Sequence, residues 1–235
     1  MPFYYFWDPT YILIIIGLIL SLWASSRVKS TYAKYSRVRS MSGMTGAEAA
    51  ARILHTAGIY DVQIQHVSGD LTDHYDPRNK TLNLSDSVYG SPSVAAVGVA
   101  AHECGHAIQD AKSYAPLKIR GAFVPVANLG SGLSMPLILI GLIFGVNSQW
   151  GILVDVGIIL FSLAVLFQLI TLPVEFNASR RAIQMVESTG ILYGDEVDGT
   201  KKVLSAAALT YVASAAAAML SLLRLILLFG GRNRD

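Results

Sequence analysis

The alternation of apolar runs and polar stretches along the chain predicts four membrane segments. Residues 11–25 carry no charge, and Tyr5, Trp7 and Trp23 lie near the ends of this run. A membrane helix needs about 20 residues and often has aromatic residues at the two interfaces. The first residues have neither a basic n-region nor an A-x-A cleavage pattern, which argues against a signal peptide. We therefore expect residues 1–26 to form a retained transmembrane helix.

The remaining apolar runs lie in the second half of the chain. Residues 133–146 and 151–174 flank a short polar turn, so residues 133–174 are predicted to form a transmembrane helical hairpin. Residues 175–202 are polar and are predicted to form a polar helix. Residues 203–235 contain a fourth apolar segment and a tail. Arg224 interrupts this segment, and because an arginine inside a bilayer is costly, the pattern leaves open whether the segment crosses completely. Asp155, the one charged residue of 151–174, is a candidate partner for Arg224.

Residues 27–132 have the mixed composition of a water-facing region. Thr45 and Glu48 have the spacing of a capping box, and the helix that they begin should end at Gly58. Alternating apolar and polar residues predict strands within 59–67 and 81–85. The second strand is either an edge strand that receives substrate by strand addition or an internal strand of a small sheet. Residues 93–111 are predicted to form a long helix.

Composition supports a membrane protein and narrows the range of partners. Of the 235 residues, 53% are hydrophobic and 14% are charged, whereas soluble domains carry about 25% charged residues. The 18 basic and 16 acidic residues give a net charge of +2 without a dense basic stripe, which argues against nucleic acid as a partner. The single cysteine, Cys104, excludes an internal disulfide framework and a multi-cysteine zinc site.

The basic residues beside the apolar runs predict the orientation in the membrane. Most of them lie in residues 27–132 and 175–202, and the turn at 147–150 has none. Under the positive-inside rule, the two basic regions face the cytoplasm. Arg232 and Arg234 disagree, because with four spans the tail would end outside.

His102, Glu103 and His106 form an H-E-x-x-H motif, which indicates a metal site. Two histidines four residues apart lie on one face of a helix, where both imidazoles can bind one metal ion. Glu103 lies on the adjacent face, where it can accept a proton from water activated by the metal without being a ligand. The motif favours zinc, although a site of two histidines and one carboxylate also accepts manganese or cobalt.

A catalytic zinc requires a third protein ligand, which the local sequence does not provide. The extended H-E-x-x-H-x-x-G-x-x-H motif is absent, because Gln109 and Lys112 occupy the positions of its glycine and last histidine. Glu175 stands out because it is the first polar residue after a predicted membrane segment. The other candidates are His55, His66, His74, Glu48, Glu187 and Glu196.

The sequence around the motif resembles the bacterial membrane-bound family described as putative neutral zinc metallopeptidases (YugP-like). The resemblance rests on residues 100–109, on the region from Asp73 to Tyr89, and on residues 173–179, and it covers nearly the whole chain. More distantly, the arrangement is similar to the HtpX and Ste24 membrane metalloproteases. The resemblance implies a gluzincin-type zinc endopeptidase with His102, His106 and Glu175 as ligands and Glu103 as the catalytic residue.

One position departs from the wider gluzincin pattern. An aspartate often stands four residues after the ligand glutamate and orients a metal-binding histidine, but this chain has Ser179 there, with Asn177 nearby. Asp110, one turn after His106, is a candidate for the same role, although it is also placed to be a solvated residue near a helix end. Such outer contacts usually fix the tautomer of the ligand.

Taken together, these features predict a mainly α membrane protein with about four transmembrane helices and a zincin-like α+β catalytic region at the membrane surface. We expect it in the bacterial plasma membrane with its catalytic site facing the cytoplasm. The expected cofactor is Zn²⁺, and the expected partners are the lipid bilayer and protein or peptide substrates, including membrane proteins. The alternative is a non-proteolytic zinc-binding membrane scaffold or chaperone-like protein. An intramembrane-cleaving protease is disfavoured, since Asp110 and Lys112 follow the motif too closely for a spanning helix.

Overall fold

The structure, a computed structural model, describes residues 8–230. Tyr5 and Trp7, and the basic residues of the tail, lie outside the described residues. Within them, the chain is mainly helical with one small sheet. In chain order the elements are α1 (Tyr11–Tyr35), α2 (Gly46–Thr56), β1 (Gln63–Val67), β2 (His74–Asp76), β3 (Thr81–Ser85), α3 (Asp86–Tyr89), α4 (Val94–Ala111), α5 (Ala115–Ile143), α6 (Ile152–Ser188) and α7 (Asp195–Phe229).

Four of the described helices, α1, α5, α6 and α7, are long and apolar enough to cross a membrane. The number agrees with the sequence prediction, but the boundaries differ. Helix α5 begins at Ala115 instead of at residue 133, and it continues through Pro125 and Pro136. The sequence prediction places the start at residue 133 because the uninterrupted apolar run begins there. The helix extends further toward the N-terminus because apolar helices that pack against neighbours tolerate glycine and proline.

The predicted polar segment 175–202 is divided between two helices. Helix α6 extends to Ser188, and α7 starts at Asp195. Between them, Gly190 and Gly194 have φ angles of 63° and 51°. Glycine adopts this left-handed conformation without the steric cost that other residues incur, so these two residues allow the chain to leave one helix and enter the next.

The chain forms two compact units. Within the described residues, the first contains 8–24, 119–172 and 210–230, and the second contains 25–118 and 173–209. Each of the four long helices contributes residues to both units. In α6 the division falls at Pro173, a residue that cannot donate a helical backbone hydrogen bond.

The first unit contains an ion pair that corrects one expectation about Arg224. The sequence suggested Asp155 as its partner. Instead, the Nη2 atom of Arg224 lies 3.0 Å from Oδ2 of Asp8, and its guanidinium lies 4.1 Å from the ring centroid of Tyr11. Because both charged side chains are largely buried, the pair compensates the charge of an arginine that would otherwise be costly in an apolar helix.

The second unit is built on a mixed three-stranded sheet with the order β1-β3-β2. Strand β3 is parallel to β1 and antiparallel to β2. All five residues of β3 are buried. Thr81–Ser85 is therefore the central strand, which excludes the interpretation that it is a free edge. The short strand β2 occupies one edge of the sheet and was not predicted, because turn residues surround it in sequence.

Helices α2 and α4 pack beside this sheet and share one hydrophobic core. The capping box at the start of α2 is confirmed, since the Thr45 amide donates to Glu48 and the Glu48 amide donates to the Thr45 hydroxyl. The predicted helix over 93–111 is also confirmed, with the Ser93 hydroxyl accepting from the Ala96 amide. Fourteen of the 18 residues of α4 are buried. This packing holds α4 rigidly. A rigid helix is favourable for functional side chains, because they must keep fixed positions relative to one another.

Candidate metal centre

Helices α4 and α6 bring His102, His106 and Glu175 together. One potential ligand atom from each residue lies within 4.8 Å of the others. The Nε2 atoms of His102 and His106 lie 3.2 Å and 3.6 Å from the same Oε2 atom of Glu175. Among the described residues, this is the one group of three or more histidine, cysteine and acidic side chains with such a geometry. Glu175 is 73 residues from His102 in sequence, and the fold brings together the three residues that the family resemblance implied as ligands.

The close approach of the two helices depends on a glycine within the motif. A Cβ atom at Gly105 would lie 2.4 Å from the carbonyl oxygen of Ala178. This distance is far below a van der Waals contact, so a larger residue would push α6 away from α4. Gly105 follows the first histidine by three residues and precedes the second by one. The same helical face that presents the histidines therefore also admits the helix that carries Glu175.

The three side chains and Glu103 are largely shielded from water. Glu175 is 2% exposed, Glu103 is 8% exposed and His106 is 9% exposed. Burial lowers the pKa of His106, but its hydrogen bond to Glu175 and the charges of Glu103 and Glu175 outweigh burial and raise that pKa above the ordinary value. The surroundings therefore favour positive charge at this point, as a cation site requires.

The outward-facing nitrogen of each histidine ring also has a partner. The Nδ1 atom of His102 lies 3.1 Å from the hydroxyl of Ser179. The Nδ1 atom of His106 lies 3.0 Å from Oε1 of Gln109. Ser179 thus makes the histidine contact for which the wider gluzincin pattern often uses an aspartate at the same position. Sequence reasoning missed Gln109, although its place three residues after His106 puts it on the same side of α4.

Asp110 does not orient either histidine. Its Oδ2 atom accepts a hydrogen bond from the Tyr75 hydroxyl at 2.9 Å and from Lys80 at 2.8 Å. The carboxylate therefore links the end of α4 to the β2–β3 hairpin, and the suggested contact with a metal-binding histidine is wrong. The Lys80 ammonium stabilises the Asp110 carboxylate, because a neighbouring cation favours the charged form of a partly buried acid.

The other candidates for the third ligand are engaged elsewhere in the second unit. Glu48 forms the capping box, and Glu187 lies 3.5 Å from Lys201. His66 pairs with Asp86, and His74 contacts Asn83. The two remaining candidates are Glu196, which accepts from the Met41 amide, and His55, which lies against the Tyr60 ring.

His74, Tyr75, Tyr89 and Arg180 are candidates to donate a hydrogen bond to the oxyanion of a reaction intermediate, and three of them already have contacts. His74 contacts Asn83. The Tyr75 hydroxyl donates to Asp110, and the ring of Tyr89 lies against His66. Cys104 is fully buried in the hydrophobic core and fills space there. Burial and the nearby charge of Glu103 raise the pKa of its thiol.

The converging atoms match the needs of a zinc ion. Zinc binds histidine nitrogen and carboxylate oxygen at about 2.0–2.2 Å, so neighbouring ligand atoms of a tetrahedral site lie about 3.3 Å apart. The separations of 3.2 Å and 3.6 Å agree with this value. Three protein ligands leave one position for water, as catalytic zinc sites require.

Comparisons with known proteins point to the same chemistry. The family model described as "Putative neutral zinc metallopeptidase" matches residues 10–230. The chain is also similar to the protein named "Putative membrane protease YugP" from Bacillus subtilis (strain 168). The two are 50% identical over 224 residues, which cover 95% of this chain and 98% of the relative. No solved structure matches the chain.

Proposed function

The chain belongs to the family described as putative neutral zinc metallopeptidases, and from this premise we propose that it is a zinc-dependent endopeptidase of the membrane. The observation that carries the proposal is the convergence of His102, His106 and Glu175 on one point. In the proposed site these three residues hold the zinc ion, and Glu103 is the catalytic residue. The α4 helix and the mixed sheet would then form a zincin-like catalytic region.

The proposed reaction is the hydrolysis of a peptide bond. When bound, zinc supplies Lewis acidity that polarises the peptide carbonyl and makes water more acidic. The Glu103 carboxylate accepts a proton from water as the water oxygen bonds to the carbonyl carbon. Glu103 then donates this proton to the amide nitrogen as the carbon–nitrogen bond breaks, which releases an amine and a carboxylic acid.

The burial of the site supports this role for Glu103. A carboxylate that is 8% exposed competes with few water molecules for the proton that it accepts. The charge of Glu103 also raises the pKa of His106, so Glu103 lies close to the candidate ligands. A buried general base of this kind keeps its proton transfers directed at the reacting groups.

We further propose that the site faces the cytoplasm at the membrane surface and acts on protein or peptide substrates, including membrane proteins. Glu175 follows Leu172, the last residue that α6 contributes to the first unit, by three positions. The basic residues of the second unit, such as Arg27, Lys29 and Lys118, support the cytoplasmic side.

Metal content and hydrolysis measured together test the proposal. The chain, purified in detergent, is assayed by elemental analysis and with fluorescein-labelled casein, and His106→Ala, Glu175→Gln and Glu103→Gln are compared with it. We expect about one zinc per chain in the wild type and in Glu103→Gln, and a loss of zinc from the other two variants. Casein hydrolysis should disappear in all three variants.

Glu187→Gln provides the matched control. Glu187 also lies in α6, but its side chain is half exposed and it pairs with Lys201. This variant should keep both zinc and hydrolysis. An absence of zinc from the wild type would refute the metal site. Hydrolysis that Glu103→Gln leaves unchanged would refute the mechanism. Zinc binding without any hydrolysis by the wild type would favour the non-proteolytic zinc-binding scaffold.

A further inference from the structure

A chain of three side chains leads away from His106 through the second unit. Gln109 contacts His106, Asn177 contacts Gln109, and Arg181 contacts Asn177. Arg181 also lies 5.8 Å from the ring centroid of Tyr114. None of these residues was singled out by the sequence motif, and together they join α4 to α6 at the candidate metal centre.

The direction of each hydrogen bond between these side chains follows from two groups, one that can act only as a donor and one that can act only as an acceptor. The Nε atom of Arg181 can only donate, and it lies 2.7 Å from Oδ1 of Asn177. Oδ1 of Asn177 is therefore an acceptor. The backbone carbonyl of Val174, which can only accept, lies 2.8 Å from Nε2 of Gln109. Gln109 consequently donates from its amide nitrogen to both Val174 and Asn177.

This arrangement leaves only the oxygen of the Gln109 amide for His106. Oε1 of Gln109 is an acceptor, so Nδ1 of His106 must carry a proton and donate it. A neutral imidazole protonated on Nδ1 has its lone pair on Nε2. Nε2 is the atom that faces Glu175. The network thus selects the tautomer in which His106 can bind a metal.

We infer that Gln109 is a positioning residue that fixes the metal-binding tautomer of His106, and that Asn177 and Arg181 fix the orientation of Gln109. The inference rests on the proposed zinc site. Gln109 is fully buried, so water cannot easily replace its amide. Partners of this kind typically change metal affinity by about 10–100-fold when they are removed.

Two variants at position 109 separate the acceptor from the donor of this amide. Gln109→Met has a similar length but offers no comparable acceptor, so zinc affinity should fall about 10–100-fold in a competition assay with a chelator. Gln109→Glu keeps an oxygen that can accept from His106 but loses the donor to Val174 and Asn177, so its zinc affinity should lie between those of Gln109→Met and the wild type. A side chain that acted only by filling space would not produce this order.

Nuclear magnetic resonance of the full chain, with ¹⁵N-labelled histidine and bound zinc, reports the tautomer directly. We expect a slowly exchanging Nδ1–H proton for His106 in the wild type and in Gln109→Glu, and its loss in Gln109→Met. Ser179→Ala is the matched control. It should alter the signal of His102, because Ser179 contacts that ring, and leave the signal of His106 in place.

The wild-type spectrum decides the inference even where a variant does not fold. A proton on Nε2 of His106, with Nδ1 bound to the metal, would overturn it. Equal zinc affinity in Gln109→Met and the wild type would do the same. The zinc-free chain gives the corresponding ¹⁵N shifts, so the tautomer can be assigned even if the protein binds no zinc or hydrolyses no peptide. Failure of the inference is thereby distinguished from failure of the proposed function.

Discussion

Gly105 lies directly against the backbone of Ala178, and a methyl group on Gly105 would come within 2.4 Å of the Ala178 carbonyl oxygen. The contact matters for the site because Gly105 lies between the two motif histidines and Ala178 lies one helical turn after Glu175. The distance between these two backbones therefore determines whether the third ligand can reach the histidines.

Gly105→Ala is expected to weaken metal binding and lower stability. The added methyl group must displace α6, which separates Glu175 from the two imidazoles, and overpacking of this kind costs about 1–3 kcal/mol. Zinc content and the thermal unfolding temperature of the purified variant measure both effects.

Gly90→Ala is the control for this prediction. A Cβ atom at Gly90 meets no atom within 4 Å, and its φ angle of −97° suits any residue. This variant should keep its zinc and its unfolding temperature. Full zinc occupancy in Gly105→Ala would show that α6 does not need such a close approach.

Ser179→Ala is expected to lower zinc affinity about tenfold, toward the weaker end of the range for such contacts. The substitution removes the hydroxyl that contacts Nδ1 of His102 and leaves the ring free to rotate. A chelator competition assay measures the change. Ser188→Ala, in the same helix, removes a hydroxyl that contacts only the Met185 carbonyl and should have no effect. Equal affinities for the two variants would contradict a role for Ser179.

Local sequence signals predicted the local features of this protein. The capping box of Thr45 and Glu48 acts over three residues, and the histidines of the motif are four residues apart on one helix. Each of these features depends on helix geometry alone. The apolar runs likewise indicated the number of long helices, because hydropathy depends on composition.

Features that depend on contacts between distant residues were harder to predict. The sequence left two roles open for Asp110, a contact with a metal-binding histidine or exposure to solvent near a helix end. Only the position of the β2–β3 hairpin shows that its carboxylate contacts Tyr75 and Lys80. Gln109 carried no motif signal, since its role depends on the Val174 carbonyl 65 residues away. The length of α5 depends on packing that allows prolines inside a helix.

Asp110→Asn is expected to lower stability by about 1–3 kcal/mol without removing zinc, because the carboxylate loses its charge-assisted bond to Lys80. Asp198→Asn is the control, since Asp198 is exposed and its pair with Lys201 should contribute no more than about 1 kcal/mol. Thermal unfolding and zinc content of the two variants test the prediction. Loss of zinc from Asp110→Asn alone would indicate that Asp110 also supports the metal site.

The same carboxylate predicts a dependence of stability on pH. Burial raises the pKa of Asp110, but the hydrogen bonds from Lys80 and Tyr75 outweigh burial and hold it below the ordinary value of 3.8. A group whose pKa is lower in the folded state contributes its full stability above the unfolded pKa and loses it as the pH falls through the folded pKa. The difference in unfolding temperature between wild type and Asp110→Asn should therefore shrink as the pH falls below about 4. If the difference in unfolding temperature stayed constant as the pH fell, the charge of Asp110 would not be its cause.

The orientation of the chain in the membrane can be tested with a thiol reagent, because the native thiol of Cys104 should not react with it. Cys104 is the only cysteine in the sequence, it is fully buried, and its raised pKa makes it unreactive. Any labelling of a variant therefore reports the cysteine that was introduced. Met41→Cys places a cysteine in the basic region 27–132, where Met41 is 82% exposed. Asn147→Cys places one in the polar turn between α5 and α6.

With the positive-inside orientation, a membrane-impermeant maleimide should label Asn147→Cys in intact cells and Met41→Cys only after the cells are made permeable. Asn233→Cys should behave like Asn147→Cys if α7 crosses the membrane completely, despite the basic residues around it. The unsubstituted chain, labelled in neither condition, is the control. Labelling of Met41→Cys in intact cells would place the second unit, and with it His102, His106 and Glu175, on the outer side, where the substrates would be extracytoplasmic proteins.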